Sequence, residues 1–116
     1  MDANGAAAAV SAGLLKGEIP YSPTVAKEAI MTFRAVSHAY GSFFPAGSDK
    51  GNTKASPKIW QDPAGFQAAL TKFRADADAA ADASGRSGPA DLAAFKAAVT
   101  PVLGHCAACH RDYRLK

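Results

Sequence analysis

The stretch Cys106-Ala107-Ala108-Cys109-His110, near the C-terminal end of the chain, decides the fold and most of the chemistry. C-x-x-C-H is the attachment sequence of a c-type haem, in which two thiols bond to the porphyrin and the histidine reaches the iron. Residues three and four positions apart share a helix face, so Cys106 lies beside both Cys109 and His110. The spacing predicts one covalent haem c, attached at Cys106 and Cys109, with His110 as the proximal iron ligand.

Two other chemistries also use paired cysteines. A structural zinc site commonly takes four Cys or His ligands in two close pairs. This chain has one Cys pair, with His105 and His110 beside it and His38 far away in the sequence. A thioredoxin-like dithiol is expected near alternating strands and helices, and the sequence has no strand pattern. Zinc binding and a redox dithiol or disulfide stand as the alternatives to covalent haem.

Length and charge are typical of a small cofactor-binding domain. The 116 residues predict a single domain over 1–116. The formal net charge of +3 comes without a run of basic residues, which argues against a nucleic acid partner. The longest apolar stretch is shorter than the roughly 20 residues that span a bilayer, so stable membrane insertion is not expected.

The N-terminal sequence bears on the compartment. Met1 leads directly into Asp2-Ala3-Asn4, and no secretory signal peptide is visible. Covalent haem attachment takes place on the outer side of the bacterial plasma membrane. We therefore expect a periplasmic protein, mature or trimmed, from which the export segment has been removed.

The sequence predicts helices alone, because alanine is abundant and no alternating apolar-polar segment is long enough for a strand. The first helix should cover 2–16 and end at Gly17. The second should start at Pro23 after the cap Ser22 and end before 41–45. Its apolar stripe is expected to be Ala26, Ile30, Phe33, Val36 and Tyr40.

A loop over 46–56, rich in glycine and polar residues, and a short turn over 57–60 should separate this helix pair from the next. Asp62 and Pro63 predict the start of a third helix, which ends at 84–88. Its inward side chains are expected to be Phe66, Leu70, Phe73 and Ala77.

The fourth helix should begin near Pro89 and end with the haem motif. Pro101 lies inside it and should kink it or remove one backbone hydrogen bond. Its inward side chains are expected to be Leu92, Phe95, Val99 and Val102. Four amphipathic helices with mostly short connections predict an all-α, antiparallel up-down-up-down four-helix bundle, with the haem near the last helix.

With this pattern the chain resembles the cytochrome c′ family, the class II c-type cytochromes, which form such bundles. Besides the haem motif, the resemblance rests on Asn4-Gly5, Lys16-Gly17-Glu18, Pro20-Tyr21, Ser56-Pro57-Lys58-Ile59-Trp60 and His110-Arg111-Asp112-Tyr113-Arg114. It implies a monohaem protein that carries electrons or binds gas and is not an enzyme. Redox proteins would be its partners, and relatives often form homodimers through the first two helices.

The branches of the family differ on the distal side of the iron. In the high-spin branch an apolar residue of the first helix blocks that side, and the five-coordinate iron binds NO or CO. In the low-spin branch a methionine is the sixth ligand there, and a His/Met pair suits electron transfer. Counting back from Asn4-Gly5 and Lys16-Gly17, this position is Met1. The resemblance therefore predicts a low-spin electron carrier with His110 and Met1 as ligands, and the gas-binding branch is the alternative.

The resemblance also implies a set of residues around the porphyrin. Trp60 is a candidate partner for a haem propionate, since the basic residue that the family carries further upstream is absent here. Arg114, four positions after His110, is expected to flank the imidazole. Core packing for Trp60 and a solvated cation for Arg114 are the simpler alternatives. The expected haem pocket is Asn4, Gly5, Trp60, Phe66, Phe73, Tyr113 and Arg114.

Some residues with possible site chemistry are expected to lie elsewhere. Met31 should fill a gap in the core, and His38 and His105 should lie on the surface. Met1 itself could be a frayed terminal residue. A haem enzyme such as a peroxidase is a further alternative, but the sequence shows no distal His/Arg pair.

Overall fold

The computed structural model describes residues 1–48, 50–51 and 53–115. In these ranges the chain forms helices α1 Asp2–Lys16, α2 Pro23–Ala39, α3 Lys58–Gln61, α4 Pro63–Ser84 and α5 Leu92–Tyr113. A 3₁₀ turn over Tyr40–Phe43 follows α2. The only β pairing in the described ranges is an isolated bridge between Ala55 and Arg114. The predicted all-α class is confirmed.

The four long helices form an elongated bundle of 44 × 25 × 17 Å. Helix α2 packs against α1 and α4, and α4 packs against α5. The remaining neighbouring pair, α1 and α5, is much less closely packed. Because the helices alternate in direction, the start of α1 and the end of α5 lie at the same end of the bundle. We call this end, which carries the haem motif, the motif end.

The helix termini follow from side-chain caps. Ser22 Oγ accepts a hydrogen bond from the Val25 N–H (3.4 Å), and the Asp62 carboxylate accepts one from the Gly65 N–H (3.1 Å). Gly17 ends α1 with a φ of 78°, a left-handed conformation that glycine adopts without steric cost. These three predicted boundaries are confirmed.

The predicted start of the last helix is wrong by three residues. The Asp91 carboxylate accepts a hydrogen bond from the Ala94 N–H at 2.8 Å, so α5 begins at Leu92 and not near Pro89. Aspartate is a better N-cap than proline, because its side chain satisfies a free N–H of the first turn.

Two hydrophobic clusters make up the core. The main cluster runs along the bundle and includes Phe33, Phe73, Phe95, Val99 and Val102. The second lies at the motif end and consists of Ile59, Phe66, Leu70 and Tyr113. The predicted inward residues are buried except Val36, Tyr40 and Leu92, which are half-buried. Met31, predicted to fill the core, is 40% exposed, because Ala29 and Ile30 occupy the inward positions of this turn.

Helix α5 continues through Pro101 to Tyr113. Proline has no N–H, so the carbonyl of Ala97 lacks its usual partner at residue 101. The helix is nevertheless unbroken. The predicted loss of one hydrogen bond follows from the missing N–H, and the predicted kink stays a prediction.

Helix α5 is also long and apolar enough, by length and composition, to cross a membrane. The sequence-based expectation concerned uninterrupted apolar stretches, and Lys96 and His105 interrupt the apolar run of α5; the helix is apolar enough only in its average composition. One such helix is weak evidence for a membrane span. Helix α5 contributes Phe95, Val99 and Val102 to the core of the bundle.

Candidate haem site

The predicted attachment residues lie on the last full turns of α5. Cys106 and Cys109 are half-buried free thiols, and His110 is exposed. Cys109 packs against the second hydrophobic cluster. Burial raises the pKa of the Cys109 thiol, and the neighbouring Cys106 and Asp112 raise this pKa further. The helix thus presents two unbonded thiols and an accessible imidazole on one short segment.

The C-terminal end of α5 is held by the chain that precedes α3. The Ser56 N–H donates to the Tyr113 carbonyl at 2.9 Å, and the Leu115 N–H donates to the Lys54 carbonyl at 2.6 Å. The isolated bridge between Ala55 and Arg114 lies between these bonds. A segment from the middle of the sequence therefore positions the turn that carries His110.

Aromatic side chains surround the inner side of this turn. The ring of Phe66 lies 5.3 Å from that of Tyr113 and 5.1 Å from that of Phe44, measured between centroids. Phe44 also contacts Tyr40 at 4.9 Å and Trp60 at 6.0 Å. We call these five residues the aromatic cluster. Phe66, Tyr113 and Trp60 are predicted pocket residues, and Phe44 is not, because it follows α2 in a segment without helical periodicity.

Trp60 is half-buried, and its indole N–H donates to the Pro45 carbonyl at 3.2 Å. The donor that was expected to be available for a propionate therefore has a protein partner. Arg114 is exposed, and its backbone N–H caps α5 through the His110 carbonyl at 3.3 Å. Arg114 and His110 line the same surface groove. This is consistent with the predicted position of Arg114 beside the imidazole.

The expectation of a surface position for His105 is wrong. Its Nε2 lies 2.6 Å from Asp76 Oδ2, and its ring centroid lies 6.1 Å from that of Phe73. His105 is half-buried because its position on α5 faces α4. His38 is exposed as predicted, and its Nε2 lies 2.8 Å from Asp78 Oδ1.

The residues predicted for the distal side begin α1 at the motif end. Met1 is 45% exposed, whereas Asn4 is 7% exposed and points inward. The Asn4 Nδ2 donates a hydrogen bond to the Met1 sulfur at 3.5 Å. Gly5 is exposed, and a side chain there would meet no atom within 4 Å. The structure thus brings Met1 and Asn4 together and leaves Gly5 outside their contact.

These residues fit a covalently attached haem. The thiols are not joined in a disulfide, and no group of three or more His, Cys, Asp or Glu in the described part of the chain could hold a metal ion. The lightly packed seam between α1 and α5 reaches the motif end, where the buried Asn4 Oδ1 has no hydrogen-bond partner. A lightly packed helix pair and an unsatisfied polar atom are features that a cofactor would complete.

Two surface grooves differ in what they could bind. The larger, about 560 Å³, lies between the C-terminal half of α4 and the N-terminal half of α5. Its wall is mostly alanine, so it offers no ligand for iron. The smaller, about 340 Å³, is lined by Lys54, His110, Arg114 and Leu115. The second groove, although smaller, is the one that borders the predicted iron ligand.

Comparison with known proteins agrees with this geometry. The family model for Cytochrome C′ matches residues 1–114. Cytochrome c′ of Rubrivivax gelatinosus is 40% identical over 90% of this chain and 80% of its own length. Cytochrome c-556 of Agrobacterium tumefaciens (strain II Chrys) is 38% identical over 97% of this chain and 84% of its own length.

A solved structure resembles the whole bundle. Cytochrome c′ of Rhodopseudomonas palustris superimposes with a TM-score of 0.85 at 36% sequence identity, over 97% of this chain and 87% of that chain. The helical bundle, the C-x-x-C-H turn at its end and the similarity to these relatives all indicate the same family. The chain therefore belongs to the cytochrome c′ family of class II c-type cytochromes and binds one covalent haem c.

Proposed function

We propose that the protein is a periplasmic monohaem cytochrome c′ that binds NO or CO on the open distal side of a five-coordinate, high-spin iron. The position of Met1 carries this proposal. Its side chain is 45% exposed, and its sulfur accepts a hydrogen bond from the Asn4 amide. A thioether that accepts a hydrogen bond from a protein amide is poorly placed to occupy the iron permanently.

The low-spin His110/Met1 electron carrier, which the sequence favours, becomes the second candidate. Several relatives named cytochrome c′ support the first, and the relatives named cytochrome c-556 leave the second open. Met1 does begin the helix that borders the seam at the motif end, so a shift of its side chain could bring the sulfur to the iron. Met31 is no substitute, because it lies exposed on α2.

Residues of this chain would attach the haem, bind its iron and shield it from water. Cys106 and Cys109 would anchor the porphyrin along α5, and the His110 imidazole would bind its proximal side. The aromatic cluster would cover the inner edge and exclude water. When bound, the haem iron supplies a coordination position for a gas and a one-electron couple. Arg114, which lines the same groove as His110, would limit access to the proximal side.

The partners differ between the two candidates. A gas-binding protein needs an open distal side and no macromolecular partner for that step. An electron carrier would dock transiently on redox proteins through a small interface. In either case a homodimer through α1 and α2 is part of the proposal, and sedimentation equilibrium of the haem-loaded protein tests it.

Absorption spectra of the reduced protein, with and without carbon monoxide, separate the candidates. We expect a broad high-spin spectrum that shifts when the gas is added. A sharp low-spin α band that is indifferent to carbon monoxide would overturn the gas-binding proposal in favour of the carrier. Met1→Leu then identifies the ligand, because only a methionine-ligated iron would turn high-spin in this variant.

A further inference from the structure

Asn4 is a polar residue on the buried side of α1. The buried residues of this helix are Asn4, Ala7, Ser11, Gly13 and Leu14. Asn4 lies one turn before Ala7, which belongs to the main hydrophobic cluster, and 7% of its surface is exposed. A carboxamide in this position must find partners within the protein or in a bound molecule.

The hydrogen bonds of Asn4 are incomplete. A carboxamide has two N–H donors and an oxygen with two lone pairs. Here Nδ2 donates to the Met1 sulfur, whereas Oδ1 is fully buried and has no partner. Among the described residues it is the one buried side-chain nitrogen or oxygen in this state. A buried acceptor without a donor is rare in native proteins and indicates a missing partner.

The other buried polar side chains do not share this property. Ser11 Oγ donates to the Ala7 carbonyl at 2.8 Å, Ser37 Oγ to the Arg34 carbonyl at 2.7 Å and Ser84 Oγ to the Ala80 carbonyl at 2.6 Å. Each hydroxyl is satisfied by the preceding turn of its own helix. Asn4 thus differs from these three buried serines, whose hydroxyls all have a hydrogen-bond partner.

The position of Asn4 indicates what the missing partner is. It lies at the motif end, one turn from Met1, on the helix that packs only lightly against α5. One amide N–H is engaged by the Met1 sulfur, and the oxygen, an acceptor, is the atom of this side chain that is left without a partner. An acceptor selects a molecule that has a hydrogen to donate.

We propose that Asn4 Oδ1 is the specificity-determining group of the distal side and binds small neutral molecules that carry an N–H or O–H. Such a ligand offers a lone pair to the iron and a hydrogen to Asn4. Carbon monoxide has no hydrogen to donate and gains nothing from this residue. The inference rests on the proposed open distal side and adds the class of ligand that this side prefers.

The test compares two ligands in the haem-loaded protein. Methylamine, an N–H donor, is titrated into the ferric protein, and carbon monoxide into the ferrous protein. Asn4→Leu keeps a similar volume and removes the acceptor. We expect it to weaken methylamine binding by about five- to tenfold, as the loss of one hydrogen bond does, and to leave carbon monoxide affinity within about twofold. Ser11→Ala is the matched control and should change neither affinity.

The stretching frequency of bound carbon monoxide gives an independent measurement. A lone pair near the gas oxygen raises this frequency, so Asn4→Leu should lower it. An unchanged frequency, or a rise, would contradict the proposal, since a rise means that the amide N–H faces the ligand. Asn4→Ala should change the methylamine affinity and the carbon monoxide stretching frequency in the same directions as Asn4→Leu. Far-ultraviolet circular dichroism checks that each variant folds.

The outcomes distinguish the role proposed for Asn4 from the open distal side on which it rests. If the wild-type protein binds carbon monoxide but Asn4→Leu leaves the ratio of methylamine to carbon monoxide affinity unchanged, only the role of Asn4 is overturned. If the wild-type protein binds no carbon monoxide, the open distal side is wrong, and the ligand site at Asn4 is overturned with it.

Discussion

At the scale of single residues, the haem motif combines chemical reactivity with partial burial. Cys106 and Cys109 lie one turn apart on α5, yet Cys109 also packs against the hydrophobic cluster at the motif end. Thioether formation and alkylation both use the thiolate. A buried thiol ionises less readily, so the burial of Cys109 slows its reactions as a thiolate before haem is attached.

We expect Cys109 in the folded, haem-free protein to react with iodoacetamide about three- to tenfold more slowly than the same cysteine in urea, at pH 8. Burial raises its pKa in the folded state, so the thiolate fraction at this pH is smaller. Peptide mass spectrometry of timed samples measures the rate at Cys109. Equal rates in the two conditions would show that the thiol is not restrained by burial.

At the scale of helices, polar contacts fix how neighbouring helices are rotated. His105 and Asp76 join α5 to α4 immediately before the attachment turn. The contacts of Asp78 with Arg34 and His38 join α4 to α2. The first contact is half-buried and close to the site, and the second is more exposed. Their effects on stability should therefore differ.

We expect His105→Ala to lower the free energy of unfolding of the haem-loaded protein by about 1–2 kcal/mol, because the hydrogen bond to Asp76 is lost in a half-buried position. Urea denaturation measures the change. Asp76→Ala should have a similar effect, and the double variant should cost less than the sum of the two. Additive effects would show that the two side chains do not interact in solution.

The Asp78 contact predicts a pH dependence. The hydrogen bond from His38, followed by the charges of His38 and Arg34, lowers the pKa of Asp78 below its usual value of 3.8. A lowered folded-state pKa means that the ionised carboxylate stabilises the fold above the unfolded-state pKa. This contribution is lost as pH falls through the folded-state pKa.

Asp78→Asn should accordingly lower Tm by about 1–3 °C at pH 7, and the difference from wild type should shrink below about pH 4. Thermal melts followed by circular dichroism at several pH values measure this difference. Asp82→Asn, at an exposed position of the same helix, is the matched control. A difference that persists at low pH would mean that Asp78 acts through something other than its charge.

At the scale of the whole molecule, the weak packing of α1 against α5 contrasts with the closer packing of the other neighbouring helices. A cofactor held on α5 would occupy this seam and bury apolar surface that is otherwise exposed. Binding to the folded state alone stabilises that state. The haem should therefore contribute to the stability of the bundle as well as to its chemistry.

We expect the Cys106→Ala/Cys109→Ala protein to carry no covalent haem and to melt at a lower temperature than the haem-loaded wild type, by about 10 °C or more. Intact mass spectrometry should show the wild-type protein heavier than its polypeptide by one haem group and the variant at the polypeptide mass. Equal Tm values would show that the haem does not complete the packing of the bundle.

Much of the fold could be predicted because its signals are local. The C-x-x-C-H spacing depends on one helical turn, and Ser22, Asp62 and Gly17 end or begin helices through bonds to residues nearby in the chain. The inward positions of α4, such as Phe66 and Phe73, follow from helical periodicity. By contrast, Asp91 displaced the predicted start near Pro89, since two competing start signals lie only two positions apart.

The sequence by itself determined the helices, the covalent cofactor, the residues that should attach it and the family. Only the tertiary structure decided which polar groups meet: His105 with Asp76, the Trp60 indole with the Pro45 carbonyl, and Asn4 with Met1. It likewise placed Met31 outside the core. The physical reason is that a periodic pattern specifies the faces of each helix, whereas the contacts of a single side chain depend on how far neighbouring helices are rotated and shifted.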